Sequence, residues 1–210
     1  MTTQRKADLL LVLITGFWGC SYYLSDLALG EMPPFALCAM RFLLAFALLG
    51  IALFPKLRHI NRKTLLWAVP AGLSLTLTYI GATVGLLYTS ISNAGFICSL
   101  PAVTTPLLTF LLYRKKPERR MLLCLALCTV GLGLLTLGND FRPAPGDLIC
   151  LLCALGYGIN LLVVEHAVRQ PEVDALQLGV FQQLVTGAAM LVLSLLFETP
   201  CLPQTPTGWG

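Results

Sequence analysis

The chemically distinctive residues of this chain are binding groups embedded in apolar sequence. Arg41 lies about seven residues into an apolar run, and a guanidinium forms forked hydrogen bonds with a carboxylate. Since a charge inside a hydrocarbon layer is costly, we expect Arg41 to face the interior of a helix bundle. It would then bind an anionic group of a solute, or form an internal pair with Asp26 or a backbone carbonyl. The sequence leaves both interpretations open.

Aromatic and polar side chains accompany the arginine. Trp18 and Tyr22 are four residues apart, which places them on one face of a helix. With Tyr157 they could form the wall of a cavity and stack on flat solutes, whereas ordinary packing is the alternative. Uncharged polar groups in or near the apolar runs could bind solute or join two helices. They are Tyr79, Asn93, Ser99, Asn160, Gln182 and Gln183.

Two prolines interrupt one of the apolar runs. Pro101 and Pro106 each remove a backbone donor and free a carbonyl one turn earlier in a helix. Non-helical backbone at membrane depth is tolerated where it lines protein or water. We therefore predict a bend that faces a cavity, with a static kink satisfied by Thr104 and Thr105 as the alternative.

Catalytic and cofactor chemistry is not indicated. The sequence lacks His-Glu-x-x-His, Gly-x-Ser-x-Gly and a Gly-Lys-Ser/Thr phosphate loop, which argues against a metalloprotease, an α/β-hydrolase and an ATP-driven pump. Cys150 and Cys153 have metal-like spacing, but no second ligand pair accompanies them. We predict no enzyme, no metal and no cofactor, although an intramembrane enzyme with dispersed residues stays open.

Membrane-spanning helices must position these residues. The 210-residue chain is 57% apolar and 11% charged, with a mean hydropathy of +0.80. Because a spanning helix needs ~20 apolar residues, we predict an all-α polytopic membrane protein whose first partner is the lipid bilayer. The seven predicted transmembrane helices cover residues 7–29, 34–54, 65–87, 92–113, 120–138, 147–165 and 174–197.

Lysine and arginine collect on one side of these spans. Twelve of the 14 basic residues lie in the N-terminus or in the loops after spans 2, 4 and 6, so the N-terminus is predicted to be cytoplasmic. This placement accounts for the net charge of +4 without a nucleic-acid partner. Asp26, Asp147 and Glu165 lie near predicted helix ends, where we expect solvated carboxylates rather than a proton-coupling group.

A shift of 139 residues aligns the start of the chain with its own second half. Asp8 falls on Asp147, Trp18 on Tyr157, Gly19 on Gly158 and Phe42 on Phe181. Five spans precede the second copy, so this would be an inverted repeat of five-helix units, as in many secondary transporters. We predict a first repeat over residues 1–145 and an incomplete second repeat over 146–210, which would need three more helices. Chance similarity between apolar segments is the alternative.

The order of several short motifs resembles the drug/metabolite transporter (DMT) superfamily, in its ten-helix EamA-type branch. The motifs are Gly-Phe-Trp-Gly-Cys-Ser at 16–21, Arg-Phe at 41–42, Leu-Tyr-Thr-Ser-Ile-Ser-Asn-Ala at 87–94, Gly-Leu-Gly at 131–133 and Gly-Asp-Leu at 146–148. The resemblance covers nearly the whole chain and implies a C-terminally truncated member. Many relatives carry a glutamate where residues 113–116 read Tyr-Arg-Lys-Lys, so the role of that glutamate does not transfer.

The resemblance implies a secondary transporter that exports a small metabolite by alternating access across a bacterial-type inner membrane. Amino acids, nucleobases, sugars and drug-like molecules are the substrate classes that it suggests. The predicted substrate-binding residues are Trp18, Tyr22, Arg41, Tyr79, Pro101 and Tyr157. The alternatives are a non-transporting scaffold or regulatory protein and an inactive fragment. Gly81 and Gly85 form Gly-x-x-x-Gly, which favours close helix packing within the chain or in a homodimer.

Overall fold

The computed structural model describes residues 3–58, 60–114 and 144–199, together with residues 120, 122–123, 126–127, 130–131 and 134. Its labelled helices are α1 (Thr3–Leu29), α2 (Pro34–Ala52), α3 (Phe54–Leu57), α4 (Arg62–Leu86), α5 (Ile91–Ser99), α6 (Pro101–Tyr113), α7 (Pro145–Val168) and α8 (Ala175–Phe197).

Within the part of the chain that the structure describes, six helical segments are long and apolar enough to cross a membrane. They are Asp8–Leu29, Pro34–Ala52, Arg62–Leu86, Ile91–Leu111, Pro145–Val168 and Ala175–Phe197. The described part of the chain contains no strand, so the prediction of an all-α polytopic membrane protein is confirmed. Of the predicted fifth span, 120–138, only isolated residues and pairs of residues are described.

Side-chain caps and prolines divide the long apolar runs into helices. The Ser90 hydroxyl accepts a hydrogen bond from the Asn93 backbone N–H at 3.2 Å, and this N-cap begins α5. Pro101 begins α6 after the break at Leu100, whereas Pro106 stays inside that helix. The helix is therefore interrupted at Leu100, whereas neither proline is among the residues that line the cavity described below, so the cavity-facing bend stays a prediction. The Thr104 hydroxyl donates to the Ala154 carbonyl on α7 at 2.9 Å, so it joins two helices.

Glycines allow α4 to pack tightly on α7 and α8. A methyl group at Gly81 would overlap the backbone nitrogen of Cys153, and one at Gly85 would overlap the Cys150 sulfur. A methyl group at Gly72 would lie 2.5 Å from the Val185 Cβ on α8. The close packing predicted from Gly-x-x-x-Gly is thus found within the chain, because small residues let two backbones approach.

Polar contacts tie the helices together at one end of the bundle. The Asn61 amide donates to the Glu172 carbonyl at 3.0 Å, and the Gln177 amide donates to the Lys56 carbonyl at 2.8 Å. Lys63 forms an ion pair with Glu172. We call this set the inner-end network. It joins the loops after the second and sixth predicted spans, which the charge distribution places on the same side.

The opposite end has its own ties. The Glu198 carboxylate accepts from the backbone N–H groups of Phe35 and Ala36 at 2.9 and 3.0 Å. An anion is stabilised there because the first N–H groups of α2 have no partner within the helix. Asp147 accepts from the Ala144 N–H at 3.0 Å and from the Thr89 hydroxyl, which connects the start of α7 to the turn after α4.

The prediction of a solvated carboxylate was wrong for Asp147. Asp147 is only 8% exposed, because the turn at Thr89 packs over it and supplies a hydrogen-bond donor. Asp26 is half-buried, whereas Glu165 is exposed and pairs with Arg169 one turn further along α7.

Candidate substrate cavity

One cavity brings together residues from α1, α2, α4, α5 and α7. Five of the six predicted binding residues lie on its wall, which comprises Trp18, Ser21, Tyr22, Ser25, Arg41, Thr78, Tyr79, Ala82, Thr83, Leu86, Cys98, Cys153 and Tyr157. Pro101, the sixth predicted residue, is buried at the start of α6 and is not among these lining residues.

Arg41 crosses from α2 to α1. Its Nη1 donates to the Ser25 hydroxyl and its Nη2 to the Ser21 hydroxyl, each at 2.6 Å. Neither Asp26 nor a backbone carbonyl is its partner in these bonds, so the internal pair considered from the sequence is replaced by two serines. The Arg41 Cα lies ~10 Å along α2 from Pro34, at 1.5 Å per helical residue.

The wall formed by the described residues carries no counter-ion for the arginine. Among the described residues, Arg41 is the one charged side chain on the wall, and the others are aromatic, aliphatic, hydroxyl or thiol groups. The serine hydroxyls satisfy donors of the guanidinium but do not neutralise its charge. A positive charge therefore faces an otherwise uncharged cavity.

Aromatic contacts give the cavity its shape. The rings of Trp18 and Tyr157 meet with centroids 5.4 Å apart and planes inclined at 49°. Tyr79 packs edge-on against Phe42, with centroids 4.6 Å apart. Such pairs hold rings in fixed orientations, so α1, α2, α4 and α7 present defined surfaces to a solute.

Two cysteine thiols line the cavity, and they were not predicted from the sequence as wall residues. Cys98 of α5 and Cys153 of α7 line the cavity, and Cys150 packs in the same cluster. All three are free thiols. Among the described residues, no group of three His, Cys, Asp or Glu side chains is arranged to hold a metal ion.

The cavity is small in this conformation. Its volume is about 20 Å³, which is close to the space that a single water requires. A second cleft of about 260 Å³ lies between α1 and α5, where Thr15, Gly19, Ile91, Gly95 and Ser99 contribute to its wall. Trp18, Tyr22 and Cys98 line both spaces, so these side chains separate the arginine from the larger cleft.

The remaining polar candidates are mostly structural. Asn160 is 4% exposed and donates to the Ala71 carbonyl at 2.8 Å and to the Ser74 hydroxyl at 3.2 Å. Asn93 lies at the capped start of α5. Gln182 and Gln183 are half-buried on α8 and are not among the lining residues.

A sequence signal for the missed serines did exist. Ser21 and Ser25 continue the spacing of Trp18 and Tyr22 along α1. Residues separated by three, four and seven positions share one helix face. The stripe 18–21–22–25 therefore predicts one polar and aromatic surface, to which Arg41 could have been assigned.

Comparison with known proteins identifies the family. The EamA-like transporter family matches residues 5–137. The chain belongs to this family. The resemblance to the DMT superfamily is thereby confirmed, and this family together with the apolar helices of the described residues identifies an integral membrane protein.

One curated relative and one solved structure are also similar to this chain. An "Uncharacterized transporter" from Archaeoglobus fulgidus is 32% identical over 163 residues, which cover 78% of this chain and 50% of the relative. The chain thus spans about half the length of this curated relative. A solved structure described as "Crystal structure of protein" has a TM-score of 0.61 at 20% identity, covering 91% of this chain and 70% of that one. This second likeness concerns the fold alone.

Proposed function

We propose that this protein is a secondary transporter that exports a small metabolite through the cavity around Arg41. The observation that carries the proposal is the convergence of Trp18, Tyr22, Tyr79 and Tyr157 with that arginine. They come from four separate helices, and the protein's family is one of transporters. Export and a bacterial-type inner membrane rest on the DMT resemblance, and a cytoplasmic N-terminus rests on the distribution of basic residues.

Alternating access is the proposed mechanism. The inner-end network closes one end of the bundle, and the cavity has room for about one water. A metabolite could enter only after helices move, and in inverted-repeat carriers one unit rocks against the other around a central site. We assign the entry route to the cleft between α1 and α5, because Trp18 and Tyr22 separate it from the arginine.

Contacts between equivalent positions support an inverted repeat. Trp18 and Tyr157, which the 139-residue shift aligns, are in ring contact. Phe181 packs against Phe46 with centroids 5.9 Å apart, one helical turn from its own equivalent, Phe42. Contacts between equivalent residues are expected near a twofold axis that relates residues 1–145 to residues 146–210. The substrate would bind beside that axis.

Solute flux tests this proposal directly. The intact gene product is reconstituted into vesicles, and efflux of amino acids, nucleobases, sugars and drug-like solutes is followed without ATP. We expect saturable efflux of at least one class, above the rate of protein-free vesicles. Folded protein that carries no solute across the whole panel would contradict transport and favour a scaffold or regulatory protein.

A further inference from the structure

We propose that the cavity selects solutes bearing a single carboxylate, with Arg41 as the binding group and Ser21 and Ser25 as the residues that position it. This substrate class rests on the proposed transport function. The argument uses the charge on the cavity wall, the geometry of the guanidinium and the groups that surround it.

Charge balance favours an anion. A guanidinium at membrane depth is costly unless it is paired, and the described wall of this cavity offers Arg41 no carboxylate. A solute anion would supply the missing negative charge. A cationic solute would place a second positive charge beside the first, and a neutral solute would leave the arginine uncompensated.

Geometry favours a carboxylate in particular. The two serines engage one N–H on each terminal nitrogen, which holds the guanidinium plane in a fixed direction. Its other N–H groups can then form the paired bonds that a carboxylate accepts. A phosphate monoester carries a charge of about −1.5 to −2, and a single arginine would not neutralise it.

The surrounding wall makes charge the dominant selective feature. Tyr79, Thr78 and Thr83 add uncharged polar groups, whereas Trp18 and Leu86 are largely apolar. Electrostatic interactions are stronger in such a medium of low polarity than in water. The sign of the solute should therefore affect entry more than its size or shape within the range that fits.

A native thiol provides a test that needs no knowledge of the substrate. Cys98 lies on the wall with Arg41 and is retained as the single cysteine, the others being replaced by alanine. Its reaction with an anionic sulfonatoethyl methanethiosulfonate is compared with that of the cationic trimethylammonium-ethyl reagent, each relative to a free thiol. We expect the anionic reagent to be favoured about tenfold or more, as charged clefts concentrate counter-ions.

Variants separate the arginine from other causes. Arg41→Gln should abolish the preference and Arg41→Lys should keep most of it, because the charge is retained. A reporter at Gln170→Cys, in the turn after α7, serves as the matched control and should be insensitive to both changes. Equal rates, a preference for the cationic reagent, or no reaction at Cys98 in folded protein would each overturn the inference.

Flux then distinguishes a wrong substrate class from a wrong function. Vesicles containing the intact gene product are loaded with a carboxylic acid, its amide, or its phosphate analogue. Efflux of the acid alone, lost in Arg41→Gln, supports the inference. Efflux of the amide or of the phosphate in preference to the acid overturns it while leaving transport intact. Absence of efflux for every solute overturns the transport proposal itself.

Discussion

Single side chains decide which groups meet in the cavity. Arg41 was correctly expected to face the interior, because a charged side chain within a membrane span needs polar partners. Its partners were not predictable from charge alone. Asp26 is adjacent to Ser25 in sequence but lies about 100° further around α1, so the face that reaches Arg41 carries hydroxyls and not the carboxylate. The helical stripe identifies the partners, whereas a search for opposite charges does not.

Asn160 is predicted to stabilise the contact between α4 and α7 by hydrogen bonding. Asn160→Leu removes its bonds to the Ala71 carbonyl and the Ser74 hydroxyl. We expect the free energy of unfolding in detergent to fall by about 1–2 kcal/mol, the range typical of interhelical polar contacts. The neighbouring Ile159→Val, at a residue 39% exposed, should change it by far less. Equal losses in the two variants would show that the hydrogen bonds of Asn160 add no measurable stability.

Helix positions were more accessible to prediction than helix contacts. Hydropathy and length defined the spans that the structure describes, and Pro101 marked the break at Leu100, because a missing N–H acts locally. Burial of Asp147 was missed because it depends on Thr89, 58 residues away in sequence. Tertiary contacts of this kind leave no local pattern in a single sequence.

Close approach of α4 and α7 leads to a second prediction. Gly81→Ala introduces a methyl group that would overlap the Cys153 backbone. A backbone atom cannot relieve the overlap by a change of rotamer, as a side chain can. We expect a loss of about 1–3 kcal/mol in the free energy of unfolding, as for other overpacked interiors. Chemical or thermal denaturation in detergent measures it.

Gly19→Ala is the matched control for this packing prediction. A Cβ at Gly19 meets nothing within 4 Å in the structure, and alanine has the higher helix propensity. This variant should be as stable as the parent or slightly more so. If Gly81→Ala behaved in the same way, tight packing between α4 and α7 would be disproved.

The whole bundle has ties at both ends and a small cavity between them. At the inner end the contacts involve Asn61, Lys63 and Gln177, and at the other end Glu198 caps α2. Bundles tied at both ends can pass a solute only if one set of contacts breaks at a time. The inner-end network is therefore predicted to open during each transport cycle.

A reversible cross-link tests that opening. In a protein with all native cysteines replaced by alanine, Asn61→Cys and Glu172→Cys are introduced where the two residues are hydrogen-bonded at 3.0 Å. Oxidation should stop solute flux, and reduction should restore it, because the disulfide prevents the two loops from separating. Each single-cysteine variant serves as the control and should be unaffected by oxidation. Undiminished flux through fully cross-linked protein would contradict movement at this end.

The central claim is that solute passes beside Trp18, between the α1–α5 cleft and Arg41. Its most direct test is the flux of the carried solute through Trp18→Ala, compared with Phe17→Ala in the same vesicles at equal amounts of folded protein. Phe17 is 69% exposed and lines neither space, so its replacement should leave flux unchanged. We predict that Trp18→Ala lowers flux at least about fivefold, as expected when a residue that positions substrate is removed. Equal flux through both variants would contradict the assignment of this cavity as the transport path.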